Sequence, residues 1–118
     1  MRTHHNLRAW KLSMQLVEDI YQLTKNFPAS EQYGLTSQMR RAAVSVPSNI
    51  AEGAARESMA EFLRFLVIAR GSLSELETQC LLAQRVGFIR SAEEPLVLID
   101  QVFAQLGGLI NSLKSPVQ

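Results

Sequence analysis

The sequence has a single cysteine, Cys80, so no internal disulfide can form. A fold that relies on packing alone suits a reducing compartment, and a cytoplasmic location is the expectation. Turn-forming residues are also scarce, with four prolines and six glycines. Few turns mean long elements. Aromatic residues make up only 7% of the chain, so aliphatic side chains must fill the core. Neither sign of charge dominates, and the formal net charge is +1. A strongly basic nucleic-acid binder would differ, although a local basic patch is still compatible with this balance. Apolar runs are short and broken by charge, so no transmembrane helix is expected. The polar opening Met1-Arg2-Thr3-His4-His5-Asn6 has no apolar stretch behind it, so no signal peptide is expected. The length fits one domain over 1–118, with disordered or frayed ends near 1–6 and 115–118.

What is present is one period, repeated. Leu7, Trp10, Met14, Val17, Tyr21 and Thr24 alternate steps of three and four, which is one face of a helix. Leu16, Ile20, Leu23 and Phe27 add an adjacent stripe before Pro28 stops the helix. That double face is more apolar surface than one neighbour covers. A second helix starts near Gly34-Leu35 and carries Leu35, Met39, Ala42, Val46 and Ile50. Pro47 lies inside it and should kink it rather than end it, since the register continues to Ile50. The third helix places Met59, Phe62, Leu66, Ala69, Leu73, Leu76, Cys80 and Ala83 on one seam. Ser58 with Glu61 reads as its capping box and Gly87 as its C-terminal cap. After Phe88-Ile89-Arg90, Ser91 is placed to cap a fourth helix with Leu96, Ile99, Phe103, Leu106, Ile110 and Leu113 on its seam. Short links between long helices force antiparallel neighbours. The fold class is therefore all-α, an antiparallel up-and-down four-helix bundle.

The residues for chemistry are mostly missing. Bundle metal sites need histidines on facing helices, and His4 and His5 precede every predicted helix. A frayed terminal pair is the simpler reading. Cys80 falls on an apolar seam with no histidine to activate it, so it reads as a buried, inert thiol. No glycine-rich phosphate loop follows a strand. The sequence thus predicts no enzyme, no cofactor and no metal.

One polar cluster stands out. Arg40, Arg41, Ser45, Ser48, Asn49, Glu52 and Arg56 recur at helical spacing beside the apolar face of the second helix. Two readings stand open. One is a salt-bridged surface, with Glu52 and Arg56 paired four apart. The other is a polar network between helices or subunits, because Ser and Asn are poor choices for a merely solvated helix face.

The stretch Arg41-Ala42-Ala43-Val44-Ser45-Val46-Pro47-Ser48-Asn49-Ile50-Ala51-Glu52-Gly53, followed by Arg56, resembles the signature of the bacterial four-helix-bundle family. That family is also called the ribosomal-RNA intervening-sequence protein family. Phe27-Pro28 with Glu31, Tyr33-Gly34-Leu35-Thr36, and Ala69-Arg70-Gly71-Ser72-Leu73 with Glu75-Leu76-Glu77-Thr78 match as well, as do Leu7, Trp10, Tyr21 and Thr24. The resemblance implies an up-and-down bundle that assembles into rings of five, with no catalytic residues. A similar fold and ring belong to the accessory variability protein of diversity-generating retroelements, which is basic and binds nucleic acid. This chain departs from it in charge.

Two functions follow as expectations. The first is a ring-forming structural or adaptor protein whose main partner is itself. The alternative is an accessory factor for RNA or DNA, with Arg40, Arg41, Arg56, Arg64 and Arg70 meeting phosphate. Near-neutral charge predicts weak, salt-sensitive nucleic-acid affinity. Two contacts are also predicted by counting equal distances from the turns. Arg41 should meet Glu75 across the second and third helices, with loss of a partly buried partner costing about 3 kcal/mol. Gly71 should meet Gly107 where the third and fourth helices touch closely; a kink or fraying at Gly107-Gly108 is the competing reading.

Overall fold

The structure, a computed structural model, describes residues 3–114. Four helices form: α1, Arg8–Thr24; α2, Leu35–Ala54; α3, Met59–Arg85; and α4, Glu93–Lys114. Short 3₁₀ turns, Thr3–Asn6 and Ala29–Glu31, precede α1 and α2. Each helix contacts the next, and α4 closes back against α1. Helices α1 and α3, like α2 and α4, stand at diagonal corners. The result is a rod of 51 × 21 × 21 Å with one core along its axis.

Local signals set the helix ends. In α1, Thr24 donates its hydroxyl to the Ile20 carbonyl (2.8 Å), and a tightened turn carries the chain to Pro28. The start of α2 is capped from behind: Glu31 Oε1 accepts the Leu35 N–H at 3.0 Å. Gly34 makes room for that carboxylate, since a Cβ there would lie 2.8 Å from Glu31 Oε1. Helix α2 runs unbroken through a buried Pro47, as the register predicts. Ser58 Oγ accepts the Glu61 N–H at 3.1 Å and starts α3. Gly87, at φ 86°, ends it. The Gly87 N–H bonds the Gln84 carbonyl and the Phe88 N–H bonds the Ala83 carbonyl, a Schellman closure that only glycine adopts without strain. Ser91 sits one position earlier than a true cap. Its Oγ takes the Glu93 N–H, while the side chain of Gln84 takes the N–H of buried Ala92 at 2.7 Å.

The α3 seam is buried from Leu66 to Ala83; Phe62 is half-buried and Met59 exposed. In α2, Met39, Ala42, Val46 and Ile50 are buried, joined by Ala43 and Pro47. Helix α1 turns differently from the first expectation. Its core face is Ala9, Ser13, Leu16, Ile20 and Thr24, while Met14 and Tyr21 are exposed and Leu7, Trp10 and Val17 form a shoulder. Ser13 and Thr24 tolerate burial because their hydroxyls bond backbone carbonyls one turn back. In α4 the core residues are Pro95, Ile99, Val102, Leu106 and Ile110. By length and composition alone α4 would also pass for a membrane span, which the short-run reading missed; in the structure its stripe faces α1 and α3.

One expectation is corrected. Gly71 and Gly107 do not meet: a Cβ on Gly71, Gly107 or Gly108 would touch nothing within 4 Å. The close approach lies between α2 and α3, at Gly53, where a Cβ would fall 2.7 Å from Phe65 Cβ and 3.3 Å from the Phe62 carbonyl oxygen. Of the expected frayed end near 1–6, residues 1–2 lie outside the described residues and 3–6 form a 3₁₀ turn. His4 and His5 lie in the first 3₁₀ turn with ring centroids 5.2 and 4.9 Å from that of Trp10. The other expected frayed end, 115–118, lies outside the described residues.

Candidate interaction surfaces

The polar cluster divides into an inner and an outer part. Ser45 and Asn49 sit half-buried on the flank of α2 that faces α3. Asn49 Nδ2 donates to both the Ser45 carbonyl and Ser45 Oγ, each at 2.8 Å. Ser45 Oγ in turn shares a 2.8 Å hydrogen bond with Ser72 Oγ of α3. This is the polar network between helices. On the outer face, Arg56 pairs with Glu52 at 2.9 Å, with both side chains about half exposed. An exposed pair of this kind contributes roughly 0–1 kcal/mol. Both readings of the cluster therefore hold, for different residues. Ser72 is not among the residues the sequence singles out; counting from the α2–α3 turn sets it level with Arg41 rather than with Ser45.

The Arg41–Glu75 pairing is corrected. Both residues are exposed and line one shallow groove of about 280 Å³ with Gln38 and Ser72, but no ion pair forms between them. The register was right. At the surface, Coulomb attraction does not exceed the entropy of fixing two long side chains, so proximity alone makes no bridge.

The arginines do not form one patch. Arg40 lies flat over Tyr21, 4.5 Å from the ring centroid, and its Nε donates to Thr24 Oγ1 at 2.9 Å. With Arg41 it lines a groove of about 600 Å³ between α1 and α2, together with Tyr33 and Ser37. Arg56, just past the other end of α2, and Arg64 of α3 lie 5.1 and 5.9 Å from the Phe65 ring centroid. Roughly 20 Å of helix separates the two groups. Arg70 is half-buried on α3.

Cys80 is fully buried on the α3 seam. Burial, and secondarily the Glu77 carboxylate, pushes its pKa up to about 12, so the reactive thiolate is suppressed at neutral pH. Among the described residues no group of His, Cys, Asp and Glu could hold a metal ion.

Helix α3 has a second apolar face, which the sequence reading assigned to the first helix instead. Val67, Ile68, Leu81, Leu82 and Val86 are 40–57% exposed on its outer side. Exposed Gly71, Ser74 and Thr78 continue that side between them.

These features define an antiparallel four-helix-bundle protein. The chain belongs to the 23S rRNA-intervening sequence protein family, whose profile matches residues 5–110. It is also similar in fold to a crystal structure of a protein of unknown function from the S23 ribosomal protein family of Bacteroides thetaiotaomicron. The TM-score is 0.72 at 23% identity, covering 91% of this chain and 99% of the other. No curated protein matches the sequence.

Proposed function

We propose that the protein is a non-enzymatic subunit of a homo-oligomer that serves as a structural or adaptor assembly. The observation that carries this reading is the outer face of α3. Besides its buried seam, this 27-residue helix exposes two apolar groups, Val67 with Ile68 and Leu81 with Leu82, that its own subunit leaves uncovered. An exposed apolar band along a rod marks an association surface. Five subunits is the number the family resemblance implies. The cytoplasm, away from any membrane, is the setting that Cys80 and the chain's composition favour.

Native mass spectrometry at micromolar protein tests the reading. The expected mass is a multiple of the 13.2 kDa subunit, with the fivefold species dominant. Leu82→Lys with Val67→Lys should give a folded monomer with unchanged far-UV circular dichroism. A monomeric wild type would sink the proposal. The alternative, nucleic-acid binding, is disfavoured by the split arrangement of the arginines. It would be promoted by tight, sequence-selective binding at physiological salt in fluorescence anisotropy.

A further inference from the structure

The near-zero net charge hides two local surfaces of opposite sign at one end of the bundle. The first is the groove between α1 and α2. Its walls include Tyr21, Tyr33, Ser37, Arg40, Arg41 and Val44, and no carboxylate lines it. The acids nearest in sequence are both engaged: Glu31 accepts the Leu35 N–H and Asp19 accepts from Gln15. Arg40 is held in place by Thr24 and the Tyr21 ring, not by a counter-charge. Arg41 is exposed, and Tyr33 is 90% exposed. The second surface is the start of α4. Glu93, Glu94 and Asp100 are exposed around Val97, itself 54% exposed.

Chain direction puts both surfaces at the same height. In an up-and-down bundle α2 and α4 begin at the same end, and here they stand at diagonal corners. The basic groove lies between α1 and α2, and the acidic ridge borders α1 on its other side through Glu94, so the two occupy different faces. One chain cannot bring its own pair together, but two copies side by side can. A two-fold contact at either surface would set like charge against like. A head-to-tail contact pairs opposite charges and leaves one unused surface at each end of the chain of subunits, as a closing ring requires.

We propose that the acidic first turns of α4 of one copy dock in the basic α1–α2 groove of the next. This rests on the self-assembly reading and names its contact. Leu81, Leu82 and Val86, at the end of α3 beside the start of α4, supply the apolar part of the same contact. Val97 meets Tyr33 and Val44, while Arg41 meets the carboxylates.

Charge reversal tests it on the full chain. Arg41→Glu, and separately Glu93→Arg with Glu94→Arg, should each raise the dissociation constant of the assembly about tenfold or more. The variant carrying all three changes should recover most of the loss. Wild-type assembly should weaken with added salt. All substituted residues are exposed, and circular dichroism with a thermal melt checks that each subunit stays folded. If the wild type assembles and neither reversal affects it, self-assembly stands and this contact falls. A triple variant no better than its parents also overturns direct pairing. Loss of nucleic-acid binding in Arg41→Glu with assembly intact would give the groove to a polyanion instead. A monomeric wild type removes both the reading and the contact.

Discussion

The inner and outer faces of α3 carry side chains of the same kind. Leu66, Leu73 and Leu76 on the inner face are fully buried, while Val67, Leu81 and Leu82 on the outer face are 43–46% exposed. Hydrophobicity alone does not distinguish them. Each inner residue is packed within the common core, so its removal leaves a hole; each outer residue borders solvent, so its removal leaves only a smaller surface. The exposed apolar residues of α3, set among Arg64, Glu75 and Arg85, are therefore not explained by the core of their own subunit.

The largest effect that would sharpen this contrast is Leu73→Ala. A fully buried leucine in this position should cost about 2–5 kcal/mol in urea unfolding. Leu82→Ala, on dissociated subunits, should stay within about 0.5 kcal/mol. Equal losses at both positions would break the comparison.

Glycine gives a second pair. Gly53→Ala should destabilise by about 1–3 kcal/mol, because the new Cβ meets Phe65 Cβ and the Phe62 backbone, neither of which can swing away. Gly71→Ala should do the reverse. With nothing within 4 Å, alanine only improves helix propensity, stabilising the subunit by up to about 1 kcal/mol. Denaturation of Gly71→Ala on a Leu82→Lys background, which keeps subunits apart, checks the sign.

The response to alkali reaches the size of the Gly53→Ala effect by pH 10.5. The folded Cys80 pKa is raised from 9.0 to about 12. Below pH 9 both folded and unfolded thiols are protonated, so the full stability is present. From pH 9 to 12 the unfolded chain releases a proton that the folded chain retains. Stability should then fall by up to about 1.4 kcal/mol per pH unit. Cys80→Ala should show a flatter slope in that window, measured by urea unfolding at pH 8 and pH 10.5.

Much of the fold was legible in the sequence because the seam of α3 repeats cleanly and Ser58, Gly87 and Pro28 act locally. Height along the bundle was also legible. Counting from the α2–α3 turn placed Arg41 at the level of Glu75, and both indeed line one groove. Direction around the helix was not. Gly71 was placed at the level of Gly107, yet its position on α3 points outward, so equal height made no contact. In α1 the core face contains Ser13 and Thr24, whose polarity hides them from a hydrophobic count although backbone carbonyls satisfy their hydroxyls. Of the candidate site, Ser45, Asn49 and the Glu52–Arg56 pair were recognisable from spacing. The basic groove was not, because Tyr33 and Tyr21 reach it from different elements of the chain.

The Ser45–Ser72 hydrogen bond also acts as a ruler. Leucine and alanine seams tolerate sliding, since one apolar side chain replaces another after a shift of one turn. A slip of α3 past α2 by that distance would carry Ser72 about 5.4 Å from Ser45. The two half-buried hydroxyls would then lose each other, while the Asn49 amide, bonded within α2, would keep its partners. The hydrogen-bonded chain contributes little to holding the helices together. It selects one alignment among several that the apolar residues would accept, and so fixes where every surface residue of α2 stands relative to α3.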